Sequence, residues 1–155
     1  MTESLNVETL QDHFGKEIGV SPWKEINQDR IDAFADCTED HQYIHVNPEQ
    51  AANSPFGGTI AHGFLSLSML SVMAYSVPPL TGVVMGVNYG FEKVRFLQPV
   101  KSGQSVRGRF TLKNAIEKGP GRWLLTYDVT VEIEGETKPA LVAEWLGMQV
   151  LGPNA

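Results

Sequence analysis

Two short segments carry the side chains whose types and spacing could do chemistry. The first is the stretch Asp-His-Gln-Tyr-Ile-His, in which Asp40 and His45 lie five residues apart in a predicted loop. A carboxylate beside an imidazole can share a water molecule, with one group taking its proton while the other holds it or completes the transfer. From the residues alone, the alternative that both are surface or helix-capping groups stays open.

The second segment is Ala61-His62-Gly63, which opens an apolar run of 14 residues, 64–77. Unpaired N–H groups in the first turn of a helix carry partial positive charge, so the Gly63 N–H could polarise a substrate carbonyl as in an oxyanion hole. The alternative is that Gly63 only allows a tight start of the helix. We expect His62 to be structural, with a hydrogen bond to backbone near the start of this helix.

A metal site also has to be considered, with candidate ligands at Asp40, His41, His45 and His62. Because Asn47-Pro48 predicts a helix that starts after His45, the two imidazoles of the loop would not share a helical face. No metal is therefore expected.

Other chemistry finds less support. The lone thiol of Cys37, beside Phe34 and Ala35, is expected to be part of the core rather than a nucleophile. The sequence holds no Gly-x-Ser-x-Gly motif, so an α/β-hydrolase triad is not supported, and it lacks phosphate-cradling glycine motifs.

The apolar run predicts the helix around which the rest of the chain is organised. Residues 64–77 are apolar on nearly every face, so this helix is expected to be enclosed on most sides. Pro78-Pro79 should end it. We expect a sheet to wrap the helix and the Gly63 end to face the Asp40/His45 loop.

The chain before this helix predicts short elements. Residues 6–14 have helical spacing, and 16–26 could form a strand that Pro22 confines to an edge or ends. Asn27 can cap a following helix, and Asn47-Pro48 can cap another.

After Pro79 the pattern becomes one of strands. The period of two and the turn residues predict four antiparallel strands over 83–96, 106–113, 125–133 and 139–150, with a bulge near 92–93 and a turn at 134–136. The expected fold class is α+β, one antiparallel sheet curled around one helix, in a single domain over residues 1–155. Sheet edges and one helix flank would stay uncovered, which favours a homodimer or a larger homo-oligomer.

Composition and charge limit which cellular compartment and which kinds of binding partner are expected. The single cysteine and the lack of a secretory signal favour the cytoplasm, and the apolar run is too short to span a membrane. The net charge of −6 argues against nucleic-acid binding. Residues 93–122, however, hold eight basic side chains and one acidic one, a local +7 that suggests a phosphate-bearing cofactor or an acidic carrier protein.

Three ordered motifs resemble a known family. They are Asp-His-Gln-Tyr-Ile-His-Val-Asn-Pro at 40–48, Ile-Ala-His-Gly-Phe-Leu at 60–65, and Val-Arg-Phe-Leu-Gln-Pro-Val at 94–100 followed by Gly103. Together they resemble the MaoC-like dehydratases of the hotdog fold, which include the (R)-specific enoyl-CoA hydratases, and in particular the nodulation-protein-N-like branch.

This resemblance implies roles for individual residues. Asp40 and His45 would activate the water added to C3 of a trans-2-enoyl thioester and deliver a proton to C2, while the Gly63 N–H would polarise the thioester carbonyl. Substrate-binding positions would be Gln42, Tyr43, His62, Ser71 and Arg95. Better-studied hydratases carry Asn-Pro where this chain has Gln42-Tyr43, which keeps the catalytic spacing and leaves the shape of the acyl pocket open.

The resemblance thus implies reversible hydration of enoyl-CoA to (R)-3-hydroxyacyl-CoA. The substrate would be a thioester of coenzyme A or of an acyl carrier protein, and no further cofactor would be needed because CoA belongs to the substrate. Two alternatives are an acyl-CoA thioesterase on the same fold and a non-catalytic subunit that binds acyl thioesters.

Overall fold

A computed structural model describes residues 4–153. The strands of this part of the chain are β1 (Glu17–Val20), β2 (Lys24–Ile26), β3 (Val83–Phe96), β4 (Gln104–Gly119), β5 (Arg122–Ile133) and β6 (Leu141–Leu151). Its α-helices are α1 (Gln28–Thr38), α2 (Tyr43–Val46), α3 (Pro48–Ala52), α4 (Gly63–Ser68) and α5 (Leu70–Met73). Two 3-10 helices cover Val7–His13 and Ala74–Ser76.

The strands form one antiparallel sheet in the order β1-β4-β5-β6-β3, and β2 also pairs with β4. All four predicted late strands are present. The predicted bulge is confirmed by a shift of register between Phe91 and Lys93, where β3 pairs with β6. Strand β3 is the last strand in this order and therefore forms one edge of the sheet.

The predicted early strand is divided by Pro22. Strand β1 ends at Val20 and β2 begins at Lys24, and both pair with β4. The cap of α1 is confirmed as well, because the Asn27 side chain accepts a hydrogen bond from the Arg30 N–H. These two local signals determine where the chain leaves the sheet and enters the helix that precedes the reactive residues.

Residues 63–76 form the central helical segment, which consists of α4, α5 and the second 3-10 helix. Its inner side buries Leu65, Leu70 and Met73 in the main core against the sheet. The expectation that the segment is enclosed on most sides is wrong for the single chain. Phe64 is 68% exposed and Tyr75 is 84% exposed, because the sheet covers only one side of the segment.

A further correction concerns Cys37, which was expected in the core. Its side chain is exposed on the outer face of α1, and its sulfur lies 3.4 Å from the Phe34 carbonyl oxygen.

Among residues 4–153, no helix is long and apolar enough to cross a membrane.

Close contact between the central helical segment and the sheet depends on Gly108 of β4. A Cβ at this position would lie 2.9 Å from the Phe110 ring and 3.2 Å from the Met73 Cβ. We expect Gly108→Ala to lower the free energy of unfolding by about 1–3 kcal/mol, because the core would be overpacked.

Urea denaturation checks this prediction, with Gly119→Ala as the matched control. A Cβ at Gly119, in the same strand, meets nothing within 4 Å. Equal stability of the two variants would contradict the prediction.

Candidate active site

The segment that carries Asp40 begins at the end of α1. Glu39, the C-cap of that helix, has the left-handed conformation with φ of 62°. The chain then turns into α2, where the His45 N–H donates to the Gln42 carbonyl at 2.9 Å. His45 thus lies in a four-residue helix rather than in the predicted loop, while the predicted cap at Asn47 is confirmed by the bond from the Gln50 N–H.

The His45 ring is held in one orientation by the backbone. Its Nδ1 lies 2.7 Å from the Ile60 carbonyl oxygen, and the side chain is only 7% exposed. A carbonyl can only accept, so Nδ1 carries the proton and Nε2 presents a lone pair. Burial lowers the pKa of His45, against the opposing effect of the Ile60 hydrogen bond. The ring is therefore a neutral proton acceptor near pH 7.

This lowered pKa predicts a pH dependence of stability. Because the unfolded chain binds a proton at His45 more readily than the folded chain does, stability should fall as pH decreases below the ordinary imidazole pKa of 6.5. The loss should level off once the folded ring is protonated too.

Denaturant titrations of the wild type and His45→Gln between about pH 5 and 8 check this prediction. The stability of the wild type relative to the variant should decrease toward acid. A difference that does not change with pH would contradict it.

Asp40 and His45 approach each other together with a second buried imidazole. Ligand-capable atoms of Asp40, His45 and His62 all lie within 4.8 Å of one another, with Asp40 exposed and both imidazoles buried. A solvent-facing carboxylate thus meets a buried neutral ring. A water molecule between them could be bound and deprotonated there.

Gly63 and His45 line the same cavity. Gly63 is the first residue of α4, and within residues 4–153 its N–H has no hydrogen-bond acceptor. The cavity has a volume of about 330 Å³, and its wall includes Ser66, Phe96 and Pro99. A Cβ on Gly63 would approach the Phe96 ring to 3.1 Å, so glycine keeps this wall close to the backbone.

The other predicted site residues lie at different distances from this cavity. Gln42 and Tyr43 are exposed at the start of α2. Ser71 lines a second cavity of about 470 Å³, on the flank of the central helical segment and bordered by Trp145. Arg95 is exposed and donates to the Val94 carbonyl, whereas His62 is buried and lies outside the wall of the first cavity.

Comparison with known proteins identifies the family. The profile of the MaoC like domain matches residues 9–134. The chain belongs to the MaoC-like dehydratase family. It is 51% identical to nodulation protein N of Rhizobium leguminosarum bv. viciae over 152 residues, 97% of this chain and 94% of that one.

Two further proteins are similar to this MaoC-like chain. It is 46% identical to 3-hydroxyacyl-thioester dehydratase Z of Mycobacterium tuberculosis over 130 residues, 84% of this chain and 86% of that one. Its fold matches an (R)-hydratase structure from A. caviae with a TM-score of 0.70 at 24% identity, covering 86% of this chain and 96% of that one. The α+β hotdog fold expected from the sequence is thus confirmed.

Asp40, His45 and His62 come together from separate segments and form a set of possible metal ligands. Helical spacing, on which the expectation of no metal was based, does not apply to residues brought together in this way. Each ring already donates one N–H to a backbone carbonyl, His45 to Ile60 and His62 to Asp40. A cation bound through His62 Nε2 would have to break the second of these bonds, and the absence of a metal from the reaction stays a prediction.

Three of the eight bases in residues 93–122 are already engaged in ion pairs. Arg107 pairs with Glu132, Arg109 with Glu17, and Lys113 with Glu144. These pairs lie along the sheet, so the three bases stabilise strand neighbours and are not free for an anionic partner. In the described residues, no carboxylate lies within 4.0 Å of the remaining five, Lys93, Arg95, Lys101, Lys118 and Arg122.

Gln28 is a supporting residue that the sequence did not reveal. Its amide nitrogen donates to the His45 carbonyl at 2.7 Å, and its oxygen accepts from the Thr59 hydroxyl at 2.6 Å. Thr59 precedes Ile60, whose carbonyl holds the His45 ring. The partners are 17 and 31 residues away, so no local pattern could have indicated them.

Proposed function

We propose that this MaoC-like protein reversibly adds water to trans-2-enoyl-CoA and forms (R)-3-hydroxyacyl-CoA. The observation that carries the proposal is the approach of Asp40 to a neutral His45 that shares a cavity with Gly63. The names of the dehydratase relative and of the (R)-hydratase fold neighbour support the reaction type and the stereochemistry.

In the proposed mechanism, the Asp40 carboxylate and His45 Nε2 each accept a hydrogen bond from one water molecule. As the water oxygen bonds to C3, one of the two groups takes its proton, and the electrons of the C2–C3 double bond move toward the thioester oxygen. The Gly63 N–H stabilises that enolate oxygen. The Asp40/His45 pair then delivers a proton to C2, so that H and OH have been added across the double bond. Dehydration runs the same steps backward.

Coenzyme A is the proposed carrier, and an acyl carrier protein is the alternative. Residues 96–100 line the reactive cavity, and the unpaired bases Arg95 and Lys101 flank them directly. We propose that these two charges bind the phosphate groups of the carrier. The reaction would need no cofactor beyond the substrate, and we place it in the cytoplasm.

We also propose a homodimer formed through β3. This edge strand has no partner on its outer side among the described residues, and it exposes large apolar side chains, including Val84 at 71% and Tyr89 at 63%. An exposed apolar edge of this length is otherwise a site of aggregation. Antiparallel pairing of two copies of β3 would cover it with two-fold symmetry.

Sedimentation checks the dimer. The wild type should have twice the chain mass of 17.1 kDa, and Tyr89→Asp should shift it toward one chain mass. Ile116→Asp is the control, since Ile116 is a similarly exposed apolar residue on β4. A monomeric wild type, or equal effects of both substitutions, would contradict the interface.

The proposed activity is tested with purified protein and crotonyl-CoA. Loss of the enoyl absorbance and formation of (R)-3-hydroxybutyryl-CoA are expected, without release of thiol from saturated acyl-CoA. Thiol release would favour the thioesterase. Tight binding of acyl-CoA without turnover over a range of chain lengths would favour a non-catalytic subunit.

A further inference from the structure

A second buried imidazole touches both members of the reactive pair. His62 is 3% exposed and, like Asp40, is not among the residues that line the reactive cavity. We propose that His62 is a positioning residue that holds Asp40 and His45 in their reactive arrangement. This inference rests on the proposed hydration and assigns His62 a role other than the substrate binding implied by the family motif.

The first contact holds the Asp40 backbone. His62 Nε2 lies 2.9 Å from the Asp40 carbonyl oxygen, which can only accept, so this nitrogen donates its proton. Glu39, just before Asp40, has a left-handed conformation that is unfavourable for a residue with a side chain. His62, at the N-cap of α4, anchors this segment through its bond to the Asp40 carbonyl.

The second contact holds the His45 ring. The two imidazoles stack with centroids 3.8 Å apart and an angle of 23° between planes, and Phe34 packs against His62 at 5.0 Å. His45 is thus restrained by three groups, namely the Ile60 carbonyl at Nδ1, the Gln28 amide at its own carbonyl, and the His62 ring face. Only the contact with His62 also reaches Asp40.

A third observation argues against a purely structural role. His62 Nδ1 is buried and has no hydrogen-bond partner among the described residues. An unsatisfied buried acceptor lowers stability, and an apolar ring at this position would not carry that cost. The polar ring at this position therefore opposes stability at one atom while its other nitrogen positions Asp40.

Two substitutions separate the two contacts. His62→Phe keeps a planar ring against His45 but removes the donor to Asp40, whereas His62→Gln keeps an N–H donor and removes the ring. We expect His62→Phe to lower kcat for crotonyl-CoA hydration by about 10- to 100-fold with KM within about twofold, because the reacting groups are displaced while the binding wall is intact. His62→Gln should recover part of the lost kcat.

Stability is the readout that distinguishes positioning from structure. The melting temperature of His62→Phe should stay close to that of the wild type, because removal of the unsatisfied Nδ1 offsets the loss of the bond to the Asp40 carbonyl. His13→Phe, at a half-buried imidazole of the first 3-10 helix, is the control and should leave kcat unchanged. The proposal would be overturned if the kcat of His62→Phe stayed within about twofold of wild type. It would also be overturned if kcat and melting temperature fell together in His62→Phe and in His62→Gln.

Failure of the positioning role can be distinguished from failure of the proposed hydration. An inactive wild type would refute the hydration, whereas an active wild type with an unaffected His62→Phe would refute only the positioning role. Crystal structures give a readout that needs no activity, since the Asp40 carboxylate should move away from His45 in His62→Phe. If that variant does not fold, His62→Gln decides, because an unmoved Asp40 and a displaced His45 ring are expected there and an unmoved ring would overturn the proposal.

Discussion

Asp40→Asn is expected to lower kcat for the hydration of crotonyl-CoA by about 10²- to 10⁴-fold, the range for loss of a general acid or base. The substitution removes a charged proton acceptor but keeps the shape of the side chain. Asp40 is exposed, and within residues 4–153 its carboxylate accepts one long bond of 3.4 Å from the Gln42 N–H and lies 4.0 Å from His62 Nε2. The melting temperature should therefore change little.

Steady-state kinetics with Asp36→Asn as the control checks this prediction. Asp36 is an exposed acid near the end of α1, four residues before Asp40, and it pairs with His41 at 2.9 Å. Its substitution should leave kcat near the wild-type value. If Asp40→Asn keeps more than about a tenth of the wild-type kcat, Asp40 is not the group that handles the water.

His45→Gln is expected to reduce kcat by a similar factor, about 10²- to 10⁴-fold. The glutamine amide can still donate to the Ile60 carbonyl, but it offers no basic nitrogen to the water. In the wild type, kcat should fall as pH decreases through the pKa of His45, which burial places below the ordinary 6.5. The variant should lack this acid limb.

The control for His45→Gln is His41→Gln, since His41 is an exposed imidazole in the same segment. Its bond with Asp36 raises the pKa of His41, whereas burial lowers the pKa of His45. The two pKa values therefore lie on opposite sides of the ordinary imidazole value. If the acid limb of the kcat profile is lost in His41→Gln and kept in His45→Gln, the ring that titrates is His41. That result would contradict the mechanism.

Local signals in the sequence were sufficient for much of the fold. The caps at Asn27 and Asn47 and the break at Pro22 depend on contacts within a few residues, and all three are found in the structure. The bulge after Phe91 was readable because the period of two changes parity there. Such features are decided by backbone geometry and neighbouring side chains, which a single sequence contains.

Features that depend on distant contacts could not be read in this way. Cys37 has a helical neighbourhood typical of core, but it lies on the outer side of α1. The exposed flank of the central helical segment, with Phe64 and Tyr75, reflects how far the sheet extends and whether a second copy covers it. The supports of the site, Gln28 and His62, bond to groups 17 to 31 residues away, so their spacing carries no signal.

The decisive measurement is a crystal structure of Asp40→Asn with crotonyl-CoA bound. We expect the thioester oxygen about 2.7–3.1 Å from the Gly63 nitrogen. We also expect a water within hydrogen-bond reach of His45 Nε2 and residue 40, about 3–3.5 Å from C3. An enoyl group bound away from Gly63, or a C3 that no water held by His45 can reach, would contradict the proposed mechanism.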